Sequence, residues 1–139
     1  MDAGEIGRLT AYLNLDMVAS PVGERLVYDE ANAPPGSAQI TQQLLDALAA
    51  AGKPGQTVDL GWSSDHYAFA QAGVPIGGVF SGLDLMTSEQ VAAFGGVVGE
   101  PADPCYHLSC DTRANINLDS AVTLGTALAT VLEDLAYQP

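Results

Sequence analysis

Residues 11–18 alternate, with Leu13, Leu15 and Met17 on one face and Tyr12, Asn14 and Asp16 on the other. A period of two marks a half-buried strand, and Ser20-Pro21 ends it. Residues 5–10 before it read as the end of a short helix, and residues 25–28 as a second, weaker strand. Past the proline-rich turn at residues 32–36 the period becomes helical. Ile40, Leu44, Leu45, Leu48 and Ala51 make an apolar stripe, with Gln42, Gln43 and Asp46 on the wet side. Ser37 is the expected cap of this helix and Gly52 its stop. Residues 58–60 predict a short strand, residues 65–72 a short helix, and residues 74–80 a buried strand. Gly77 and Gly78 lie inside that last strand, where glycine weakens pairing unless something must come close. Residues 87–94 predict a helix, residues 95–113 are irregular, and a final helix runs from near residue 117 to about residue 136. Val122, Leu124, Leu128, Val131, Leu132 and Leu135 are its expected buried stripe.

Helices alternating with short apolar strands predict an α/β fold. The expected architecture is a mixed, mostly parallel sheet flanked by helices on both faces. With 139 residues, of which 47% are hydrophobic, the chain suits one domain over its whole length and can fill a core. The net charge of −13, with only 4 Lys and Arg, excludes nucleic acid and anionic lipid as partners. Residues 67–83 carry no charge but hold Gly73, Pro75, Gly77 and Gly78, so no membrane span is expected. The opening Met1-Asp2-Ala3-Gly4-Glu5 does not read as a signal peptide. A secreted form would have lost its leader, or the chain is a piece of something longer.

Sites in such sheets collect at the carboxyl ends of strands, where Asp16 stands. An acid there serves as a turn or cap residue, or as a metal ligand or catalytic group. Cys105 and Cys110 bracket Tyr106-His107-Leu108-Ser109. Such a pair can close a loop by disulfide or bind metal. Without a second Cys or His pair it is a poor structural zinc site, which favours the disulfide and an oxidising compartment. Ser63-Ser64-Asp65-His66 puts triad-type residues in a row, but triad members must face one another in space, and the segment reads as a helix start. No dinucleotide or phosphate-binding glycine spacing occurs.

Taken in order, these clusters resemble one family: the carboxyl-terminal half of secreted bacterial di-zinc aminopeptidases, the leucine-aminopeptidase-like zinc exopeptidases. The matching pieces are Tyr12-Leu13-Asn14-Leu15-Asp16-Met17 with Ser20-Pro21, then Ser64-Asp65-His66 with Phe69, and the run Ala72-Gly73-Val74-Pro75-Ile76-Gly77-Gly78-Val79-Phe80-Ser81-Gly82. Gly95-Gly96, Cys105-Tyr106-His107-Leu108-Ser109-Cys110-Asp111 and Asn115-Ile116-Asn117 follow. The resemblance implies that Asp16 binds one zinc ion and His107 the other, and that Tyr106 hydrogen-bonds the tetrahedral intermediate. It further implies that Met17, Phe80 and Ile116 line the pocket for an apolar amino-terminal side chain of a peptide substrate. The alternative for these three is an ordinary core role. Zinc in such enzymes lowers the pKa of bound water and polarises the scissile carbonyl.

The family's amino-terminal half supplies an H-x-D motif, a bridging Asp and an adjacent Glu-Glu pair of base and ligand. None of these precedes Asp16, and Ser63 stands where the family often has Arg. The resemblance therefore implies an incomplete site in a chain that is inactive alone and holds zinc weakly. It also implies an uncovered sheet edge and apolar face, met by the missing amino-terminal half or by self-association. A binding or assembly module that keeps the fold without catalysis is the competing expectation. Zinc carboxypeptidases and glutaminyl cyclases share the general metal pattern, but the Cys-flanked Tyr-His loop favours the aminopeptidase branch. The implied location is secreted or cell surface.

Overall fold

The computed structural model describes residues 3–137. In chain order the elements are α1 (Ala3–Ile6), β1 (Tyr12–Asp16), β2 (Leu26–Tyr28), α2 (Ser37–Ala50), β3 (Gln56–Val58), α3 (His66–Gln71), β4 (Ile76–Phe80), α4 (Ser88–Phe94), a 3-10 turn (Arg113–Asn115) and α5 (Leu118–Tyr137). The strands form a four-stranded sheet in the order β1-β4-β2-β3. β1 pairs with β4 in parallel, with Tyr12 opposite Ile76 and Asp16 opposite Phe80. β2 runs parallel to β3 and antiparallel to β4. The sheet is mixed and mostly parallel, as the alternation of elements implies.

Helices α2 and α5 cover one face. Their core joins Val27 and Val79 of the sheet to Ile40, Leu44 and Leu48 of α2 and Leu124, Leu128 and Val131 of α5, with Leu13 packed at its margin. On the other face Phe69 of α3 stacks on Tyr12, ring centroids 3.9 Å apart. A second cluster there joins Leu26, Tyr28 and Phe80. The two β4 glycines are explained by this sandwich. A Cβ on Gly77 would overlap the Ile40 side chain, and one on Gly78 would lie 2.5 Å from Tyr28 Cε2. The sheet is thinned at β4 so that α2 and Tyr28 can press in from opposite faces.

Four details depart from the sequence pattern. β3 lies two residues earlier than expected because pairing with β2 sets its place. Gln56 donates to the Arg25 carbonyl, and Asp29 donates to that of Val58. The chain turns at once, with Asp59 accepting from the Gly61 amide at 2.7 Å. Ser37 does not cap α2: Gly36 occupies that position, and the Ser37 hydroxyl accepts from the Ile76 amide at 2.9 Å instead, tying the helix to β4. α1 ends at Ile6, ahead of Gly7, and single turns carry the chain to Leu9. On α5, Val122 and Leu132 are exposed, 67% and 55%, rather than buried. The helix covers the sheet with only one side. Among the described residues no helix is long and apolar enough to cross a membrane.

Candidate functional site

Asp16 is the last residue of β1, and the turn after it is held from two sides. Met17 adopts a positive φ of 43°, which a side chain accepts only when its surroundings enforce it. Ser81, just past β4, supplies that enforcement: both its backbone N–H and its hydroxyl donate to the Met17 carbonyl. The Ser20 amide donates to Ser81 Oγ at 2.8 Å, and the Ser20 hydroxyl to the Gly82 carbonyl at 2.6 Å. The carboxyl ends of the two parallel strands are thereby locked together.

The Asp16 side chain points to the α3 side of the sheet. Its Oδ2 accepts a 2.6 Å hydrogen bond from the Ser64 hydroxyl. Asn14, buried one pleat earlier on the same face, donates to Ser64 Oγ at 3.0 Å and to the Tyr28 hydroxyl at 3.1 Å. Burial pushes the Tyr28 phenol up to about 12, so it stays a neutral partner in this network. The Ser64 carbonyl accepts from the Tyr67 amide at the start of α3, whose first residue, His66, belongs to a buried pair. His66 Nε2 lies 3.3 Å from Glu30 Oε1, both side chains fully buried. The Leu60 amide donates to the same Glu30 oxygen at 2.9 Å. Burial drives His66 below its usual value, and drives Glu30 above its own, aided by the Asp59 carboxyl.

Tyr106 and His107 project from the second loop. Cys105 and Cys110 form a disulfide around them. His107 has a φ of 55°, and its ring stacks on Tyr106 with centroids 3.8 Å apart. Asp103, buried at the root of the loop, accepts from the Cys105 amide and from Asn115 Nδ2, each at 3.0 Å. That one carboxylate joins the disulfide loop to the segment before α5. Between the loop and the β1 turn lies a cleft of about 300 Å³, walled by Met17, Ser20, Asp103, Tyr106, His107 and Ile116.

The fold thus brings Tyr106, His107, Met17 and Ile116 to one cavity, with Asp16 adjacent to Met17 in the chain. Phe80 does not line the cleft itself but is buried with Leu26 and Tyr28 in the cluster against which Met17 packs. Ser64 and Asp103 are the polar residues that the linear reading passed over as organisers. Ser64 reads as part of a helix start, and nothing local ties it to a strand far earlier in the chain. One carboxylate and one imidazole are the donor types that zinc takes. Among the described residues, however, no group of three His, Cys, Asp or Glu converges as a metal site. The residues present fit part of a zinc shell and not a whole one.

Comparison with known proteins gives the family and agrees with the fold. Residues 3–132 match the family model described as peptidase family M28. The chain is 35% identical over 131 residues to an aminopeptidase of Pseudomonas aeruginosa, covering 89% of this chain and 24% of that one. It is 39% identical over 119 residues to leupeptin-inactivating enzyme 1 of Streptomyces exfoliatus, covering 84% and 26%. A zinc aminopeptidase structure from Bacillus subtilis superposes with a TM-score of 0.65 and 25% identity, over 93% of this chain and 29% of that one. The chain spans about a quarter of the length of the curated relatives it matches. From its loop chemistry, its sheet and these matches, the chain belongs to peptidase family M28.

Proposed function

We propose that this chain is the carboxyl-terminal part of a co-catalytic di-zinc aminopeptidase domain, one that hydrolyses amino-terminal, apolar residues from peptides. The cleft that places Tyr106 and His107 opposite Met17 and Ile116, at the end of the strand bearing Asp16, carries the reading. Asp16 and His107 are the residues that would hold zinc, one for each ion. Zinc when bound supplies a nucleophile at neutral pH and polarises a carbonyl. Tyr106 offers a hydroxyl donor to the oxygen that becomes negative as the peptide bond is attacked. The apolar walls at Met17 and Ile116 suit an apolar first side chain. Ser64 holds the Asp16 carboxylate, and Asp103 holds the loop of Tyr106 and His107. The relatives' names speak of aminopeptidases, which supports a peptide with a free amino terminus as substrate. The disulfide supports a secreted or cell-surface location.

One carboxylate and one imidazole do not saturate zinc, and this chain brings no Glu-Glu pair to act as base. The proposal therefore includes that the chain alone binds zinc weakly and is inactive. The test is elemental zinc analysis after dialysis, with release of leucine from a leucine anilide measured on the same sample. The chain alone is expected to hold little zinc and release no leucine. Mixed with the amino-terminal half of an M28 catalytic domain, it is expected to retain zinc and gain activity. Full zinc and activity in the chain alone would overturn its incompleteness. A stable complex without zinc or hydrolysis would instead favour a non-catalytic assembly module.

A further inference from the structure

Arg25 and Lys53 are two of only 4 Lys and Arg in a chain with 17 Asp and Glu. In such an excess of acid a basic side chain is expected to find a carboxylate, yet these two do not. Among the described residues the one ion pair is that of Glu30 with His66, so neither Arg25 nor Lys53 has a carboxylate partner. Both instead line one small pocket of about 140 Å³, together with Gly23, Asn117, Asp119 and Ser120. The field of a chain with a net charge of −13 repels anions, so a site for one must bring its own cations.

Three segments build this pocket. Arg25 stands just before β2 and Lys53 just past α2. The Arg25 Nε donates to the Pro54 carbonyl at 3.0 Å, which ties these two segments together, and its guanidinium lies 4.8 Å from the Phe94 ring centroid. The third segment is the first turn of α5. Asn117 precedes the helix, and its Oδ1 accepts from the Ser120 amide at 3.1 Å. Gly23, with a φ of 72°, lies against this turn: a Cβ there would come within 2.7 Å of Asn117 Nδ2 and 3.1 Å of Ser120 Cβ. Ser120 supplies the observation that points to a ligand. It lines the pocket and is only 6% exposed, and its Oγ is buried without a hydrogen-bond partner. A buried hydroxyl left in that state lowers stability unless something fills its place. The 20-residue helix α5 turns the positive end of its dipole to the same place. Asp119 acts against these groups, since it lines the pocket too, but it is exposed and pairs with neither cation.

We propose that this pocket is an oxyanion site, which takes a phosphate or carboxylate group through Arg25, Lys53 and the Ser120 hydroxyl. The Arg25 Nε is committed to Pro54, and its terminal nitrogens are the donors that suit a planar or tetrahedral oxyanion. Lys53, which is exposed, adds a mobile charge. The buried Ser120 Oγ is the inner donor, and the bound oxygen is the acceptor it lacks. The pocket shares no lining residue with the cleft that holds Tyr106 and His107, so the proposal does not depend on the peptidase reading. A free ion and the carboxyl terminus of a peptide present the same chemistry to these groups.

The test titrates the chain with inorganic phosphate near neutral pH, with ionic strength held constant by chloride, and follows amide NMR shifts. Saturable shifts centred on Gly23, Arg25, Lys53 and Ser120 are expected. Ser120→Ala is expected to weaken binding about tenfold, Lys53→Gln to weaken it as well, and Asp119→Asn to tighten it. Ser120→Ala is also expected to melt no lower than the parent, because the hydroxyl it removes has no partner, and this separates lost binding from lost folding. An amino-acetylated tripeptide with a free carboxyl terminus, and its carboxamide, distinguish the two sources. Displacement of phosphate by the acid and not by the amide assigns the site to a peptide carboxylate, and displacement by neither assigns it to a free ion. Shifts that grow without saturating would overturn the proposal. So would saturable shifts centred elsewhere, or an affinity that Ser120→Ala and Lys53→Gln leave unchanged.

Discussion

Ser64 and Asp16, 48 residues apart in sequence, are joined by a 2.6 Å hydrogen bond in which the serine hydroxyl donates to the carboxylate. Asn14 donates to the same serine, so the Asp16 side chain is fixed by residues from two elements. Ser64→Ala removes the donor and leaves Asn14 with one partner fewer. The expected cost is on the order of 1–2 kcal/mol in urea unfolding, with Ser64→Thr recovering most of it. An alanine variant as stable as the parent would show that this bond is not formed in solution.

The buried Glu30 and His66 pair makes stability depend on pH. Burial lowers the His66 pKa, against the pull of the Asp16, Asp59 and Asp65 carboxylates. The unfolded imidazole therefore takes up a proton below about pH 6.5 that the folded one refuses. Its contribution is fully present above that value and is lost as pH falls toward the lowered folded pKa. Glu30 is raised, so its contribution has the opposite sign, present at low pH and lost as pH rises through its folded pKa. Between pH 7 and about 5.5 the histidine effect is expected to lower stability in the parent and to be absent in His66→Phe. Unfolding curves at three pH values across that window measure it, and parallel pH dependences in the two proteins would refute it.

Two glycines with different surroundings should respond differently to alanine. Gly78 has φ in an ordinary strand region, but its added Cβ would sit 2.5 Å from the Tyr28 ring, whose hydroxyl Asn14 holds in place. Gly78→Ala is expected to cost about 3 kcal/mol through overpacking. Gly52 has a φ of +70° and nothing within 4 Å of the added methyl. Gly52→Ala is expected to cost roughly 1 kcal/mol, from the left-handed backbone alone. Thermal unfolding of the two variants checks the ranking.

Replacing Cys105 and Cys110 together by serine opens a short loop. A closed loop this small contributes about 2 kcal/mol by restricting the unfolded chain. The Asp103 contacts to Cys105 and Asn115 survive the change and keep the root of the loop in place. Faster amide exchange is therefore expected for residues 106–111, with β1 and β4 unaffected. Exchange that spreads into the sheet would mean that the disulfide, and not Asp103, anchors the loop.

Much of this molecule is legible along the chain. The period of two at residues 11–18 and the helical period after residue 37 locate β1 and α2. The paired glycines of β4 announce a close approach that the Ile40 and Tyr28 contacts then explain. The Cys-flanked Tyr-His loop marks one wall of the cleft. These features are local, because each follows from backbone geometry and from neighbours within a few residues.

Other features are not local. Leu15, Val122 and Leu132 have the spacing of core residues, and their exposure depends on what lies across from them in space. β3 takes its register from β2 rather than from its own hydrophobicity. Ser37 and Ser64 look like helix starts in the sequence, yet their hydroxyls serve Ile76 and Asp16. The sequence by itself determined the elements, the family motifs and the acidic surface, since periodicity and composition are properties of the chain. Only the tertiary structure decided which polar side chains meet and which apolar ones stay uncovered. Hydrogen bonds and burial are set by distances between segments, and those distances exist only once the sheet has assembled.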